Sequence, residues 1–196
     1  MTDSEETPKG AFRAMTEATA KDWRIIGVAG QPFNAAHADR LISALRSLGE
    51  DTGGFQVTRL EHSLQTASRA HRDGRDEEYV VCALMHDVGD VMGWANHAEV
   101  GAAIMRPYVS DAHHWMLEKH AVFQGYYFYH HIGRNRNMRD HYRGHPHFEM
   151  CAQFAHLYDQ TSFDPTYDTL PLEAFEPMLR RILARPKGPV HRRPRA

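Results

Sequence analysis

The sequence has little cysteine, no long apolar run and almost no excess of either charge. Its two cysteines, Cys82 and Cys151, lie far apart in 196 residues and form no CxxC motif. A disulfide scaffold and a zinc site built from thiolates are therefore excluded. The longest apolar run, from Tyr79 to Met85, falls well short of the roughly 18 residues that a membrane span requires.

The charge balance and the first residues of the chain bear on nucleic-acid binding, secretion and membrane association. Lysine and arginine number 23 and aspartate and glutamate 25, which leaves a formal net charge of −2. This balance argues against nonspecific binding of nucleic acid. Because the chain begins with acidic and polar residues, we expect no secretory signal, no membrane association and a cytoplasmic location. The sequence leaves the oligomeric state open.

Apolar residues recur at helical spacing along most of the chain, and no segment alternates with a period of two for long. This pattern predicts an all-α protein with a polar leader at 1–32, one helical domain at 33–185 and a basic tail at 186–196. Asp76 and Ser110 are placed to cap two helices. The charged, Gly- and Asn-rich stretch 133–146 is expected to form an exposed loop or a mobile lid. The predicted helices cover 34–48, 57–72, 76–85, 96–105, a segment after 110, 148–158 and 172–182.

Histidine is the abundant residue, with 15 copies. His86 and Asp87 follow the apolar run VVCALM at the end of a predicted helix, where an imidazole nitrogen and a carboxylate oxygen can bind one metal ion. A carboxylate beside the core is costly unless it is neutralised, and a metal ion removes that cost. His62 lies on the preceding predicted helix and Asp159 on a later one. This His…His-Asp…Asp pattern predicts a metal centre.

The pattern, with HSLQTA around His62 and HDVG around His86, resembles the HD metal-dependent domain superfamily over about 57–183. The resemblance implies a helical bundle with the metal site between core helices. Two further histidines are His97 in GWANHAEVGAAIM and His120 in WMLEKHAVF. With them the set is similar to that of the mixed-valent diiron oxygenases, which include myo-inositol oxygenase and the enzymes that cleave the C–P bond of hydroxylated aminophosphonates.

This resemblance implies two iron ions, Fe(II) and Fe(III), with dioxygen as co-substrate. One iron would be bound by His62, His86, Asp87 and Asp159. The other would be bound by Asp87, His97 and His120, the three residues expected to act directly in catalysis. Imidazole and carboxylate ligands without a thiolate suit iron or manganese. The implied reaction is oxidative cleavage of a small hydroxylated substrate. A 1-hydroxyalkylphosphonate with an amino or trimethylammonium group, which would release phosphate, is preferred, and an inositol-like polyol comes second.

Five residues are candidates for substrate binding. Asp90 and Gln124 stand where the relatives usually carry basic residues, which weakens the recognition of anions. Tyr126 and Tyr129 lie in the aromatic run FQGYYFY, which offers ring faces to a quaternary ammonium group or simply packs in the core. Arg134 belongs to a group of basic residues that could hold a phosphonate or form a solvated surface. The group consists of Lys119, Arg134, Arg136, Arg139 and Arg143.

Other functions are compatible with the same residues. In an HD phosphohydrolase, a metal-activated hydroxide attacks a nucleotide or another phosphoester. Binuclear HD phosphodiesterases use a similar His-rich ligand set, so the set does not by itself fix the metal or the reaction. A domain that only binds ligands is a third alternative, against which the intact ligand set argues. Without the resemblance, a capping or surface role for His97 and an ordinary helix-face role for His120 are more common than metal binding. Seven further histidines are expected at the surface or beside the ligands: His113, His114, His130, His131, His141, His145 and His147.

Overall fold

The computed structural model describes residues 8–188, and within this range all regular structure is helical. The predicted all-α class is therefore confirmed. The chain divides into two compact units, one up to Leu41 and the other from Ile42 onward. The start of the predicted leader, 1–7, and most of the predicted basic tail, 189–196, lie outside the described residues. No helix in the described range combines the length and apolar character that crossing a bilayer requires.

Part of the predicted polar leader is helical. The first unit contains α1 (Ala20–Ala29) and α2 (Gln31–Ala35). Thr19 and Asp22 form a capping box at the start of α1, in which each side chain accepts a hydrogen bond from the backbone N–H of the other residue. The Thr19 hydroxyl and nearby backbone N–H groups lower the pKa of Asp22 to about 2. This helix begins at a local capping signal in a polar segment, which apolar periodicity does not detect.

The second unit holds most of the helices. The predicted helix 34–48 is divided between α2 and α3 (His37–Ser47), with the break at Ala36. The helices that follow are α4 (Arg59–Arg72), α5 (Glu77–Met85), α6 (His97–Met105), α7 (Asp111–Phe128), α8 (Phe148–Phe154) and α9 (Leu172–Leu183). Helix α4 packs against α5, α6 against α7, and α7 against α8. Side chains from these helices, among them Leu84, Met116 and Phe154, are wholly buried.

Side-chain caps set the starts of three of the helices around the candidate site, α4, α5 and α7. Asp76 accepts from the Tyr79 N–H at 2.8 Å at the start of α5, and Ser110 caps α7, as predicted. Thr58 caps α4 in the same way. Each cap satisfies an amide that the first turn of a helix leaves without a partner. Helix α5 ends at Met85, and the chain turns at Asp87 into a 3₁₀ segment, Val88–Val91.

Most residues of the stretch 133–146 are exposed, as predicted, but its centre is not an irregular loop. This central part, Arg136–Tyr142, forms 3₁₀ turns that pack against α7. The guanidinium groups of Arg136 and Arg139 lie 4.2 and 3.6 Å from the ring centre of Tyr126. Guanidinium planes stack well on aromatic rings, and these contacts hold the exposed segment on the helix.

Gly89 allows the 3₁₀ segment to pass close to the start of α6. A Cβ atom at Gly89 would lie 2.0 Å from the carbonyl oxygen of His97, a distance that packed atoms do not reach. A second glycine, Gly101, allows a similar approach on α6, because its Cβ would lie 3.0 Å from the carbonyl oxygen of His86. The two glycines thus bring the segment after α5 and the first turn of α6 together.

Candidate metal centre

The structure brings the six predicted ligands together inside the second unit. The side chains of four of them are almost wholly buried, whereas that of Asp87 is 15% exposed and that of His97 is 24% exposed. The six are His62 on α4, His86 and Asp87 after α5, His97 at the start of α6, His120 on α7, and Asp159 in the turn that follows α8.

A π turn delivers Asp159 to this cluster. Helix α8 continues into Ala155–Asp159 with π geometry, whose wider turn changes which side chains face the interior. As a result the neighbouring residues Tyr158 and Asp159 are both buried. The sequence predicted a helix up to Tyr158 but gave no signal for the π turn.

The first ligand set contains His62, His86 and Asp159. The Nε2 atoms of the two histidines are 3.0 Å apart, and Asp159 Oδ1 lies 3.2 Å from His62 Nε2 and 3.8 Å from His86 Nε2. Asp87 Oδ2 is close to both histidines, at 3.5 Å from His62 and 3.3 Å from His86. These groups could hold a metal ion.

The second set shares Asp87 with the first. Its other oxygen, Oδ1, lies 3.3 Å from His97 Nε2 and 3.2 Å from His120 Nε2. The two oxygens of one carboxylate therefore face two different pairs of histidines. A carboxylate that bridges two metal ions requires this arrangement, and a single-metal site does not.

All four histidines present the same nitrogen to the cluster. Because a carbonyl oxygen only accepts hydrogen bonds, the Nδ1 atom facing it carries the proton and leaves the Nε2 lone pair free. Partners of this kind fix the tautomer and ring orientation of histidine ligands in metal sites. The Nδ1–H donors, their carbonyl acceptors and the N···O distances are His62 to Ser162, 2.9 Å; His86 to Ala83, 2.8 Å; His97 to Trp94, 3.0 Å; and His120 to Leu117, 2.7 Å.

Two features of the cluster call for a cation. The Nε2 atoms of His62 and His86 face each other at 3.0 Å, which is repulsive unless a proton or a metal ion lies between them. Asp159 Oδ2 is buried and has no hydrogen-bond partner among the described residues, whereas Oδ1 accepts from Gln124. A buried oxygen of this kind is costly for a carboxylate. Since imidazole nitrogens and carboxylate oxygens are common metal ligands, a bound metal ion would satisfy both features.

Neighbouring charges in the cluster shift the pKa values of His86 and Asp87. Burial alone would lower the pKa of His86, but the carboxylates of Asp87 and Asp159 raise it overall. Burial alone would raise the pKa of Asp87, but His86 and His120 hold it well below its usual range. Asp87 is therefore ionised, which is the state that a metal ligand must have.

A cavity of about 150 Å³ opens beside the cluster, and three of the ligands, His62, Asp87 and His97, form part of its wall. Of the residues predicted to bind substrate, Asp90 and Gln124 also line this cavity. Both have hydrogen-bond partners, because Asp90 accepts from Arg59 and Gln124 donates to Asp159.

The other three residues predicted to bind substrate are not among those that line this cavity. Tyr126 lies beneath Arg136 and Arg139, and the guanidinium of Arg134 lies 5.8 Å from the ring centre of Tyr129. Successive residues of a helix point about 100° apart, so a continuous aromatic run cannot present every ring to one side. The structure therefore does not bring Tyr126, Tyr129 and Arg134 into the wall of this cavity, and their contact with a substrate stays a prediction.

Several residues of the cavity wall were not predicted. Arg59 brings a guanidinium to the cavity, and its carboxylate partner Asp90 also lies 3.4 Å from His97 Nδ1. Helical spacing offered a signal for Arg59, because it lies three residues before His62 on α4. The sequence offered no comparable signal for Phe55 and Phe163, which lie in loops. The unpredicted wall residues are Phe55, Val57, Thr58, Arg59 and Phe163.

The remaining histidines lie elsewhere. His113 is buried and pairs with Glu78 at 2.6 Å, so it is a structural residue. His114, His145 and His147 line a separate pocket of about 460 Å³. The exposed ones are His130, His131 and His141.

The geometry of the cluster is the evidence that this site can hold a metal ion. His62, His86, Asp87, His120 and Asp159 could hold a metal ion, and His97 lies close enough to Asp87 to join them. A comparison with known protein families finds no match, and a search of curated proteins finds none either.

Proposed function

We propose that this chain is a diiron oxygenase that uses dioxygen to cleave a small hydroxylated substrate. The observation that carries the proposal is the position of Asp87, whose two oxygens face the pair His62 and His86 on one side and the pair His97 and His120 on the other. A hydrolase with one metal ion needs only the first pair. The second pair supports a dinuclear centre.

The ligand chemistry supports iron. The two sets consist of imidazole and carboxylate groups, which suit iron or manganese better than metals that prefer sulfur. The two cysteines are buried, and Cys151 donates to the carbonyl of Met116. An iron pair, when bound, would supply the activation of dioxygen and the redox capacity for the reaction.

The side chains of the protein would bind and orient the substrate and exclude water. His97 is the most exposed ligand, so the substrate hydroxyl would approach from its side. Arg59 lies on the same wall, where Asp90 orients its guanidinium, and a guanidinium is well suited to bind a phosphonate. Phe163 stacks on the ring of His62 at 4.4 Å and would shield that ligand from water.

The size of the cavity favours a small reacting group. At about 150 Å³ the cavity itself accommodates only the head of a substrate, since pockets that hold a whole drug-sized ligand have roughly 300–1,000 Å³. A 1-hydroxyalkylphosphonate fits this wall, since its hydroxyl can approach the metal side and its phosphonate can approach Arg59. One dioxygen would be consumed, the C–P bond would break, and a carboxylic acid and phosphate would form, which balances atoms and electrons.

The test is oxygen uptake by the iron-loaded protein. With 1-hydroxyethylphosphonate, we expect one phosphate released for each dioxygen consumed, and neither process with ethylphosphonate, which lacks the hydroxyl. An oxygen electrode and a phosphate assay measure both quantities. Phosphate release from a nucleotide without oxygen, and with manganese in place of iron, would instead establish the phosphohydrolase.

A matched pair of variants tests the role of Arg59. In Arg59→Gln, we expect the KM for the phosphonate to rise at least about tenfold, because a charge-assisted hydrogen bond to the anion is lost. Arg139→Gln is the control, since Arg139 stacks on Tyr126 and is not among the cavity residues. Equal KM values in the two variants would remove Arg59 from the substrate site.

A further inference from the structure

A second compartment adjoins the cavity of the metal centre. Its volume is about 310 Å³, twice that of the cavity itself. The two share Phe55, Gln124 and Phe163, so these side chains lie at the boundary between them. The rest of the wall consists of Tyr127, Phe128 and Gln160.

The wall of this compartment is aromatic, and its polar groups already have partners. The amide nitrogen of Gln160 donates to the carbonyl of His156 at 2.9 Å, and the Tyr127 hydroxyl lies 3.0 Å from Nδ1 of the same histidine. Gln124 donates to Asp159. None of the described residues of this wall is charged. Four of the six residues that line the compartment are aromatic, and the other two are glutamines.

A stack of rings connects the compartment with the metal centre. Phe163 packs on His62 with ring centres 4.4 Å apart, and Phe55 packs on Phe163 at 4.9 Å. The loop that carries Phe163 is held on α4, because the side chain of Gln65 donates to the carbonyl of Asp164 at 2.7 Å. A group bound against these rings would thus be held at a fixed place relative to a metal ligand, and such positioning accelerates a reaction.

We propose that the compartment receives an alkyl chain of the substrate, whose hydroxylated head lies at the metal centre. This inference rests on the proposed function and specifies its substrate class as 1-hydroxyalkylphosphonates with a tail of several carbons. An alkyl chain gains free energy by leaving water for an apolar wall. A trimethylammonium group would also contact ring faces, but it would lose its hydration without a carboxylate in the wall to replace it.

The first experiment measures the binding of a homologous series to the iron-loaded protein without oxygen. The probes are 1-hydroxyethyl-, 1-hydroxybutyl- and 1-hydroxyhexylphosphonate, and isothermal titration calorimetry gives their Kd values. We expect Kd to fall about two- to fourfold for each added methylene, the gain from burying that group. Affinity that is constant or decreases along the series would overturn the proposal.

Variants locate the effect in this compartment. Gln160→Trp fills it, and Phe128→Ala removes part of its wall, so each should bring the Kd ratio between the ethyl and hexyl compounds towards one. Leu157→Trp is the matched control, because Leu157 lies in the π turn just before Gln160, is 42% exposed and is not among the wall residues. The control should keep the ratio of the unmodified protein. Unchanged ratios in both wall variants would overturn the proposal.

A pair of probes of the same shape separates an alkyl chain from a cation. We expect 3,3-dimethylbutylphosphonate to bind at least about tenfold more tightly than 2-(trimethylammonio)ethylphosphonate, and the reverse order would overturn the proposal in favour of a cation site. Oxygen uptake, measured in parallel, separates the failure of the alkyl site from the failure of the oxygenase. Binding that depends on chain length without oxygen uptake would retain the alkyl site and reject the oxygenase. Oxygen uptake with the same affinity for every chain length would retain the oxygenase and reject the alkyl site.

Discussion

Asp87→Ala is expected to abolish the binding of both metal ions. After anaerobic reconstitution with iron, the unmodified protein should retain about two ions per chain, whereas the variant should retain almost none after dialysis. The reason is that both ligand sets include an oxygen of Asp87, and its loss also removes negative charge that the cations require. Metal analysis measures the content, and circular dichroism confirms that the variant is folded.

Two further variants make this result specific. His97→Ala should lose one ion and keep the other, because His97 belongs only to the second set. His113→Ala is the control for the loss of a buried histidine outside the cluster, and it should keep both ions. The partly oxidised unmodified protein should give a mixed-valent EPR signal that His97→Ala lacks. One ion per chain in the unmodified protein, unaffected by His97→Ala, would contradict the dinuclear centre.

Metal binding is expected to raise the Tm of the protein by about 8–16 °C. A ligand at about a thousand times its Kd stabilises the folded state by about 4 kcal/mol, and each kcal/mol shifts the Tm of a chain of this length by about 2–4 °C. Asp159→Asn should lose at least half of this increase. The substitution keeps the acceptor for Gln124 but removes the charge of a side chain whose Oδ2 has no partner in the described protein.

The metal-free form of the same variant is the control. Because Asp159 Oδ2 makes no hydrogen bond there, the Tm of the metal-free variant should stay within about 3 °C of the unmodified protein. Differential scanning calorimetry with and without iron gives both values. An equal fall of Tm in the two forms would mean that Asp159 is a structural residue and not a ligand.

Local signals in the sequence were sufficient to predict the helical class and the starts of several helices. The caps at Asp76 and Ser110 lie within three residues of the amides they satisfy, and such contacts can be inferred from adjacent residues. The adjacent pair His86 and Asp87 identified a candidate metal centre for a similar reason. Where the decisive signal was a capping box in a polar segment, as at Thr19, apolar periodicity did not reveal the helix.

The sequence by itself determined the chemical types of the ligands and their order along the chain. Only the tertiary structure decided that the two oxygens of Asp87 face different histidine pairs and that Phe163 forms a wall of the cavity. It also placed Tyr126 beneath two arginines and not in the wall of the cavity. These outcomes depend on how helices rotate and cross, and on contacts such as that between His62 and Ser162, which are 100 residues apart. The periodicity of one segment shows which face is buried, but the packing of the other helices determines what that face meets.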